Sequence, residues 1–173
     1  FCYIYGFLHS KDYQQQFANA LAKDFPAIPL VKRRADFEGF LTAGKDLLDL
    51  HVYYERQPYA DVAVSIADEK PSFLVDKMKF KRIKKGNRWV PDKTTIVYNS
   101  AIVISQIPLA AYEYTIGGKS VIELLMSTYK KSTDKGSQIV SDPNTSQRVK
   151  ANPRYILDLL LRIIYVSTET VAI

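Results

Sequence analysis

Three short motifs contain residue types that enzymes use for catalysis, and the first is Asn152-Pro153-Arg154-Tyr155. Amino-methyltransferases hold a target amine with Asn/Asp-Pro-Pro-Tyr at the end of a strand, but here Arg154 stands in place of the second proline. A strongly apolar segment follows, and no glycine-rich loop for a methionine-derived cofactor precedes it. Because Asn followed by Pro is also a common helix start, we predict a helix cap at Asn152.

The other candidate motifs are weaker. Asp68-Glu69-Lys70, with Asp61 upstream, matches half of a metal-nuclease pattern but lacks a clear strand around it. Gly117-Gly118-Lys119-Ser120 lacks the first glycine of a phosphate-binding loop, and His9 and His51 have no partner at metal-ligand spacing. We therefore predict no catalytic residue and no metal ligand, while a methyltransferase or nuclease fragment stays open as an alternative.

The positive charge is concentrated in two segments. Residues 77–93 contain eight Lys or Arg residues and one Asp, and residues 130–154 contain six and two. The chain has a net charge of +6, so the remaining residues together carry −5. A basic surface on a mildly acidic body is typical of proteins that bind nucleic acid, although polybasic loops also occur on inert surfaces.

Both basic segments mix cations, which hold phosphates, with side chains that can read base edges in double-stranded DNA. The expected phosphate-binding residues are Lys77, Lys79, Lys81, Lys84, Lys85, Lys93, Lys130, Lys131 and Lys150. The base-reading candidates are Arg82, Asn87, Arg88, Lys135, Ser137, Gln138, Asn144 and Arg148. Trp89 lies among the first group of cations. We expect residues 133–144 to form a structured loop that faces DNA.

Composition restricts the class of protein. A chain of 173 residues with 47% apolar residues can bury a core, and Cys2 is the single cysteine, which excludes an internal disulfide and favours a reducing, cytoplasmic setting. The most apolar run, residues 155–166, contains Asp158 and Arg162, so we predict no membrane span. The sequence starts without Met, and we expect one domain, residues 1–173, taken from a longer multidomain chain.

Hydrophobic periodicity predicts an α+β fold with N-terminal helices, a central antiparallel or mixed β-sheet and two C-terminal helices. Helices are expected at about 11–24, 36–54 and 121–129, with a last one from Pro153 to about 167. Strands are expected at 62–66, 73–83, 94–98, 101–105 and 112–116, with turns at Gly86-Asn87 and Asn99-Ser100. Residues 130–151 read as a long polar loop. Gly44 lies in an apolar helix face, which indicates close approach of another element.

The order of short blocks resembles the C-terminal specificity domain of Type ISP restriction–modification enzymes. The matching blocks, in chain order, are Tyr3 to Ser10 with Tyr13, Ile28 to Leu30, Leu50-His51 with Tyr54-Glu55, Thr94 to Asn99, Ile107-Pro108, Tyr112 to Tyr114, Gly118 to Ser120, Thr133 to Lys135, Asp142 to Asn144, Asn152 to Tyr155, and Val166 to Val171. One departure is that Thr145-Ser146 follow Asp-Pro-Asn, where the family pattern often has Asp-Trp.

The resemblance implies a non-catalytic domain that recognises a short asymmetric sequence in double-stranded DNA. It implies that the longer polypeptide also has a nuclease, an ATP-driven translocase and an adenine methyltransferase, whose S-adenosylmethionine, ATP and Mg²⁺ would bind outside this domain. We expect the aromatic N-terminal segment to dock on the neighbouring methyltransferase domain. A second alternative is a module that only couples larger domains, which would bind DNA weakly and expose a large apolar patch.

Overall fold

A computed structural model describes residues 1–21 and 23–173. These residues form two compact units: residues 1–54 with Ile173, and residues 55–172. The α+β class is confirmed, with helices first, an antiparallel sheet and then further helices. That residues 1–173 act as one domain stays a prediction.

The first unit is helical, with α1 at Cys2–His9, α2 at Lys11–Gln16, α3 at Ala18–Leu21 and α4 at Arg34–Val52. The Ser10 hydroxyl accepts a hydrogen bond from the Tyr13 amide and so caps α2, as the sequence predicts. The single helix expected over 11–24 is interrupted, because Phe17 leaves helical geometry between α2 and α3. Of the rest of that range, α3 ends at Leu21 and Ala22 lies outside the described residues. The buried residues Tyr3, Phe7 and Tyr13 form an aromatic core in this unit.

Two glycines set the distance between α1 and α4. A Cβ atom at Gly44 would collide with the backbone carbonyl of Cys2, and a Cβ atom at Gly6 would collide with that of Phe40. The close approach expected at Gly44 is therefore confirmed, and α1 is the element that packs there.

The second unit contains a four-stranded antiparallel sheet in the order β1-β4-β3-β2. The strands are β1 at Ala63–Ile66, β2 at Lys79–Lys85, β3 at Arg88–Val97 and β4 at Ile102–Ser105. The turns expected at Gly86-Asn87 and Asn99-Ser100 connect β2 to β3 and β3 to β4, as predicted. The side chains of Ile96, Ile102 and Ile104 are fully buried in this sheet.

The strand expected over 73–83 begins only at Lys79. Backbone carbonyls before Lys79 accept hydrogen bonds from side chains and not from a neighbouring strand. The Asn99 amide donates to the carbonyls of Ser72 and Leu74 at 2.7 and 3.0 Å. The Tyr98 hydroxyl donates to the Phe73 carbonyl at 2.9 Å. These long-range contacts hold an extended segment that runs into β2 without strand pairing.

After β4 come a 3-10 helix at Leu109–Tyr112, a small hairpin of β5 at Thr115–Ile116 with β6 at Lys119–Ser120, and α5 at Val121–Thr128. The strand expected over 112–116 is wrong for residues 112–114, because Tyr112 ends the 3-10 helix and β5 begins only at Thr115. The Tyr112 hydroxyl donates to the Lys93 carbonyl at 2.7 Å. The capping box predicted at Ser120 and Glu123 is confirmed by the 3.2 Å bond from the Glu123 amide to the Ser120 hydroxyl.

The polar segment of residues 130–151 is folded rather than structureless. It contains a hairpin of β7 at Ser132–Thr133 with β8 at Val140–Ser141, a 3-10 helix at Pro143–Thr145 and α6 at Gln147–Ala151. The chain then enters α7 at Tyr155–Ala172, which supplies much of the buried apolar surface. Among the described residues, no helix is both long enough and apolar enough to cross a membrane.

Candidate nucleic-acid interface

The basic segment folds as a two-stranded β-ribbon, which we define as residues 81–92. Among the described residues, strand β3 pairs with β4 only at Ile96 and Val97, so in the ribbon β3 has only β2 as its neighbour. The ribbon carries five cations and one acid, and charged or polar side chains are exposed on both of its faces. A ribbon of this kind fits within the major groove of B-form DNA.

The ribbon ends in a two-residue turn. Lys85 pairs with Arg88, and Gly86 has a φ of +58° at the first turn position, where the tight hairpin turns need a residue without a Cβ. This turn places Asn87 at the tip and Arg88 directly beside it, as the first residue of β3. In the part of the chain that the structure describes, neither side chain has a hydrogen bond or ion pair.

A break in the pairing of β2 with β3 separates the ribbon from the rest of the sheet. Phe80 pairs with Ile96 but Lys81 pairs with Asp92, so residues 93–95 of β3 form a bulge. The Asp92 carboxylate accepts hydrogen bonds from the Thr94 amide and hydroxyl at 3.0 and 2.7 Å, and from the Thr95 hydroxyl at 3.3 Å. These bonds, those from Thr94 foremost, lower the pKa of Asp92 and keep it charged opposite Lys81. Asp92 therefore has a structural role at the base of the ribbon.

Cations from the two basic segments meet at a cleft of about 820 Å³ between residues 76–79 and 130–133. The Lys131 amide donates to the Asp76 carbonyl at 3.1 Å and joins the two walls. The exposed side chains of Lys77, Lys79 and Lys130 line the cleft. A neighbouring cavity of about 370 Å³ shares Lys130 and adds Lys119 from β6, which the sequence analysis did not select.

Two of the predicted phosphate-binding lysines have acidic partners. Lys93 Nζ lies 2.9 Å from Glu123 Oε1, and Lys131 Nζ lies 3.0 Å from Asp142 Oδ2. Each lysine, through its hydrogen bond, lowers the pKa of its partner carboxyl. Both pairs are partly exposed, so they are weak and a phosphate could compete for either lysine. The other lysines of the set, Lys77, Lys79, Lys81, Lys84, Lys85, Lys130 and Lys150, are all exposed.

Lys135, Ser137 and Gln138 lie in the tight turn between β7 and β8. The Asp134 carboxylate accepts bonds from the Gly136 amide and from the amide and hydroxyl of Ser137, at 3.0, 2.7 and 2.9 Å. Those from Ser137 contribute most to lowering the pKa of Asp134. Gln138 has a φ of +59°, and its side chain donates to the Lys135 carbonyl at 2.9 Å. The turn is thus ordered by its own polar groups, and of the three described side chains only that of Lys135 forms no hydrogen bond within it.

Asn144 and Arg148 are held within the fold, which argues against the base-reading role expected of them. The Asn144 side chain accepts from the Val75 amide at 3.0 Å and donates to the Val75 carbonyl at 2.8 Å. Arg148 Nη1 donates to Glu55 Oε1 and to the Tyr155 hydroxyl, at 2.8 and 2.7 Å. In the ribbon, Arg82 Nη2 donates to the Trp89 carbonyl at 3.0 Å, which fixes one side of its guanidinium.

The catalytic motifs have structural explanations. Asn152 Oδ1 accepts from the Arg154 amide at 3.0 Å and so stabilises the turn into the last helix, but α7 begins at Tyr155 and not at Pro153 as predicted. Arg154 pairs with Asp158 at 3.4 Å, and the Tyr155 hydroxyl donates to Glu55 Oε1 at 2.9 Å. Asp68 and Glu69 lie in exposed coil after β1, and the described residues contain no cluster of three or more metal-ligating side chains.

The two histidines are near each other in the helical unit. The Tyr5 hydroxyl and His51 Nδ1 are 2.6 Å apart, and the rings of His9 and His51 have centroids 5.4 Å apart. Burial, and then the nearby His9, lower the pKa of His51 to about 4. His51 is therefore half-buried and has a hydrogen-bond partner within the helical unit.

The model of the Type ISP C-terminal specificity domain family matches residues 1–159. The chain belongs to this family. No curated protein matches the chain. The specificity domain is 43% identical to part of a nuclease-deletion mutant of the Type ISP restriction–modification enzyme LlaGI, solved with a DNA substrate mimic, with a TM-score of 0.81. That match covers 98% of this chain and 13% of the other.

Two further solved structures are similar to the specificity domain. The ATP-dependent Type ISP enzyme LlaBIII bound to DNA is 41% identical with a TM-score of 0.81, and the match covers 99% of this chain and 10% of LlaBIII. A DrdV–DNA complex is 26% identical with a TM-score of 0.74, over 98% of this chain and 17% of the other. This chain therefore spans only about a tenth to a sixth of the length of these relatives.

Proposed function

We propose that this specificity domain recognises a short sequence in double-stranded DNA on behalf of a single-polypeptide restriction–modification enzyme. The observation that carries the proposal is the basic ribbon, whose two strands have no third neighbour and whose size suits the major groove. Family membership and the DNA complexes of the similar enzymes support it. The family is defined as a specificity domain, which is a recognition role and not a catalytic one.

In this proposal the ribbon tip reads bases. Arg88 can donate two hydrogen bonds to a guanine, and Asn87 can pair with the major-groove edge of an adenine. Neither side chain is used within the described part of the chain, so neither must break an internal bond first. Lys84 and Lys85 flank the tip and would hold phosphates on either side of the groove.

The cleft between residues 76–79 and 130–133 would hold a second stretch of phosphate backbone. Lys77, Lys79 and Lys130 supply three exposed charges around one concave surface, and Lys119 extends that surface. Lys135 at the β7–β8 turn and Lys150 on α6 would add weaker phosphate contacts. A clamp with two separate contacts, one at the ribbon and one at the cleft, would fix the register of the ribbon in the groove.

The rest of the longer polypeptide would supply the nuclease, the ATP-driven translocase and the adenine methyltransferase. S-adenosylmethionine, ATP and Mg²⁺ would then bind in those parts and no cofactor in this domain, and the enzyme would act in the cytoplasm. The helical unit would dock on the methyltransferase domain. Its Phe25 and Leu30 side chains are 99% and 86% exposed, which suits an apolar partner surface. The same exposure favours the coupling module as the alternative function.

Selection from a library of random duplexes tests the proposal. We expect the chain to enrich one short sequence, and its affinity to fall with salt at a slope of about −4.5 on logarithmic axes if ~5 phosphates are neutralised. Arg88→Ala should relax the preference at one position, whereas Lys84→Ala should weaken all sequences alike. A flat salt response would contradict DNA binding and favour the coupling module. A steep response without an enriched sequence would contradict specific recognition.

A further inference from the structure

Trp89 is a large apolar side chain in a charged ribbon, and it has no internal role. It is the single tryptophan of the chain, and its side chain is 59% exposed. Within the described residues, its ring has no stacking or cation–π partner, although cations are close by in sequence. Its backbone carbonyl, by contrast, is held by Arg82 at 3.0 Å. The backbone is thus fixed while the indole ring is left to solvent.

The strand register determines which side chains share a face with Trp89. Lys84 lies directly opposite Trp89, and Arg82 lies opposite Pro91. Because side chains alternate along a strand, these four residues form one face of the ribbon. Two cations thus flank the indole and proline rings on this face. Such a face can hold phosphates at its edges while its apolar centre meets the floor of a groove.

We propose that Trp89 is a specificity-determining residue whose indole packs on the 5-methyl group of a thymine in the major groove. This inference rests on the proposed function, because it needs the ribbon to enter that groove. The thymine methyl is the apolar group that the major groove presents, and apolar side chains read it by contact. Arg88 and Asn87 at the tip would read polar edges, and Trp89 would read the methyl group one step further along the ribbon.

Replacing thymine by uracil removes only that methyl group and so isolates the contact. On the duplex that the selection enriches, each thymine is replaced in turn and the affinity is measured for the wild-type chain and for Trp89→Ala. At one position the wild-type affinity should fall about fourfold, which is the effect of one buried methyl group. Trp89→Ala should bind the thymine duplex more weakly and should not respond to uracil at that position.

Two variants serve as controls. Trp89→Phe keeps an aromatic ring and should retain part of the response to uracil. Phe25→Ala removes an exposed aromatic ring in the helical unit and should respond as the wild-type chain does. Far-ultraviolet circular dichroism checks that each variant is folded. If Trp89→Ala loses folding or all DNA binding, the wild-type and Trp89→Phe series still decide the question.

Several results would overturn the proposal. The first is that uracil lowers the affinity of the wild-type chain and of Trp89→Ala equally at every thymine position. The second is an enriched sequence that contains no thymine. The third is a wild-type affinity that uracil does not change at any position. A rise in the fluorescence of 2-aminopurine placed beside the contact would mean that Trp89 separates bases, which also overturns the methyl contact. In these cases the enriched sequence still supports DNA recognition. Failure to enrich any sequence contradicts the proposed function itself and the Trp89 proposal with it.

Discussion

Asn87 and Asn144 have the same side chain but opposite surroundings. The Asn87 amide lies at the ribbon tip, exposed and outside the internal hydrogen bonds of the described chain. The Asn144 amide bonds both backbone groups of Val75, which is only 3% exposed. The first amide is available to a base, and the second acts as a substitute for a strand neighbour. Their substitution should therefore affect different properties.

Asn144→Ala should lower the free energy of unfolding by about 1–3 kcal/mol, because it leaves the buried amide of Val75 without a partner. Asn87→Ala should leave the free energy of unfolding unchanged within about 0.5 kcal/mol, because the residue is an exposed turn position. Denaturant titration measures both values. The duplex selection should give a changed preference for Asn87→Ala and the wild-type preference for Asn144→Ala.

An altered base preference in Asn144→Ala at unchanged stability would contradict this division. It would mean that the amide leaves Val75 to contact DNA. The corresponding result for Asn87→Ala would be a large loss of stability with an unchanged preference. The first outcome would return Asn144 to the base-reading set that its residue type and position suggest, and the second would remove Asn87 from that set.

At the residue scale, the sequence could predict which side chains are charged or polar, but not which of them bond to distant parts of the fold. The lysines expected to bind phosphate are mostly exposed, because long charged side chains rarely lose water. Asn144 and Arg148 looked equally available, yet their partners Val75 and Glu55 lie 69 and 93 residues away. Lys119 follows two glycines, and nothing in its local sequence shows that it lies at the same cavity as Lys130. Such contacts are set by the tertiary fold.

At the element scale, local signals located the ribbon and its turn but not its start. Gly86-Asn87 predicts a hairpin because glycine permits the positive φ that the turn needs. The strand expected from Phe73 begins at Lys79, since Asn99 and Tyr98 take the backbone bonds of residues 72–74. The polar run of residues 130–151 folds into a hairpin and a short helix. The strands of the hairpin have two residues each, which is too short for hydrophobic periodicity to detect.

The packing of α1 on α4 gives a prediction at this scale. Gly44→Ala should lower the free energy of unfolding by about 2 kcal/mol or more, because the added methyl group meets the Cys2 carbonyl. Gly39→Ala is the matched control on the same helix, since an added Cβ there has no atom within 4 Å. It should raise the free energy of unfolding by about 0.5–1 kcal/mol through helix propensity. Thermal unfolding followed by circular dichroism measures both.

Equal effects of the two alanines would contradict the close packing of α1 on α4. The helical unit has its own aromatic core in Tyr3, Phe7 and Tyr13, so its unfolding need not coincide with that of residues 55–172. Trp89 emission reports on the ribbon, whereas circular dichroism is dominated by the helices. A transition in Gly44→Ala that circular dichroism detects before the Trp89 emission changes would place the damage outside the ribbon, as the packing of α1 on α4 predicts.

At the scale of the whole molecule, two segments, residues 77–93 and 130–154, carry most of the positive charge, and the remaining residues together carry −5. The structure brings Lys77 and Lys79 of one basic segment beside Lys130 of the other. This joins two segments that are separated in sequence by the sheet and α5. The combined charge favours a polyanion at low salt and loses most of that attraction as salt rises. The apolar exposure at Phe25 and Leu30 is a different kind of surface, suited to protein.

In the proposed function the ribbon itself enters the DNA groove, and the emission of Trp89 would report this entry without interference because the chain has no other tryptophan. The enriched duplex and a scrambled duplex of the same composition are titrated into the chain while emission and DNA anisotropy are recorded together. We predict that the enriched duplex changes the emission and shields Trp89 from acrylamide, with an affinity equal to that from anisotropy. Binding by anisotropy with Trp89 emission and acrylamide access unchanged would contradict the claim.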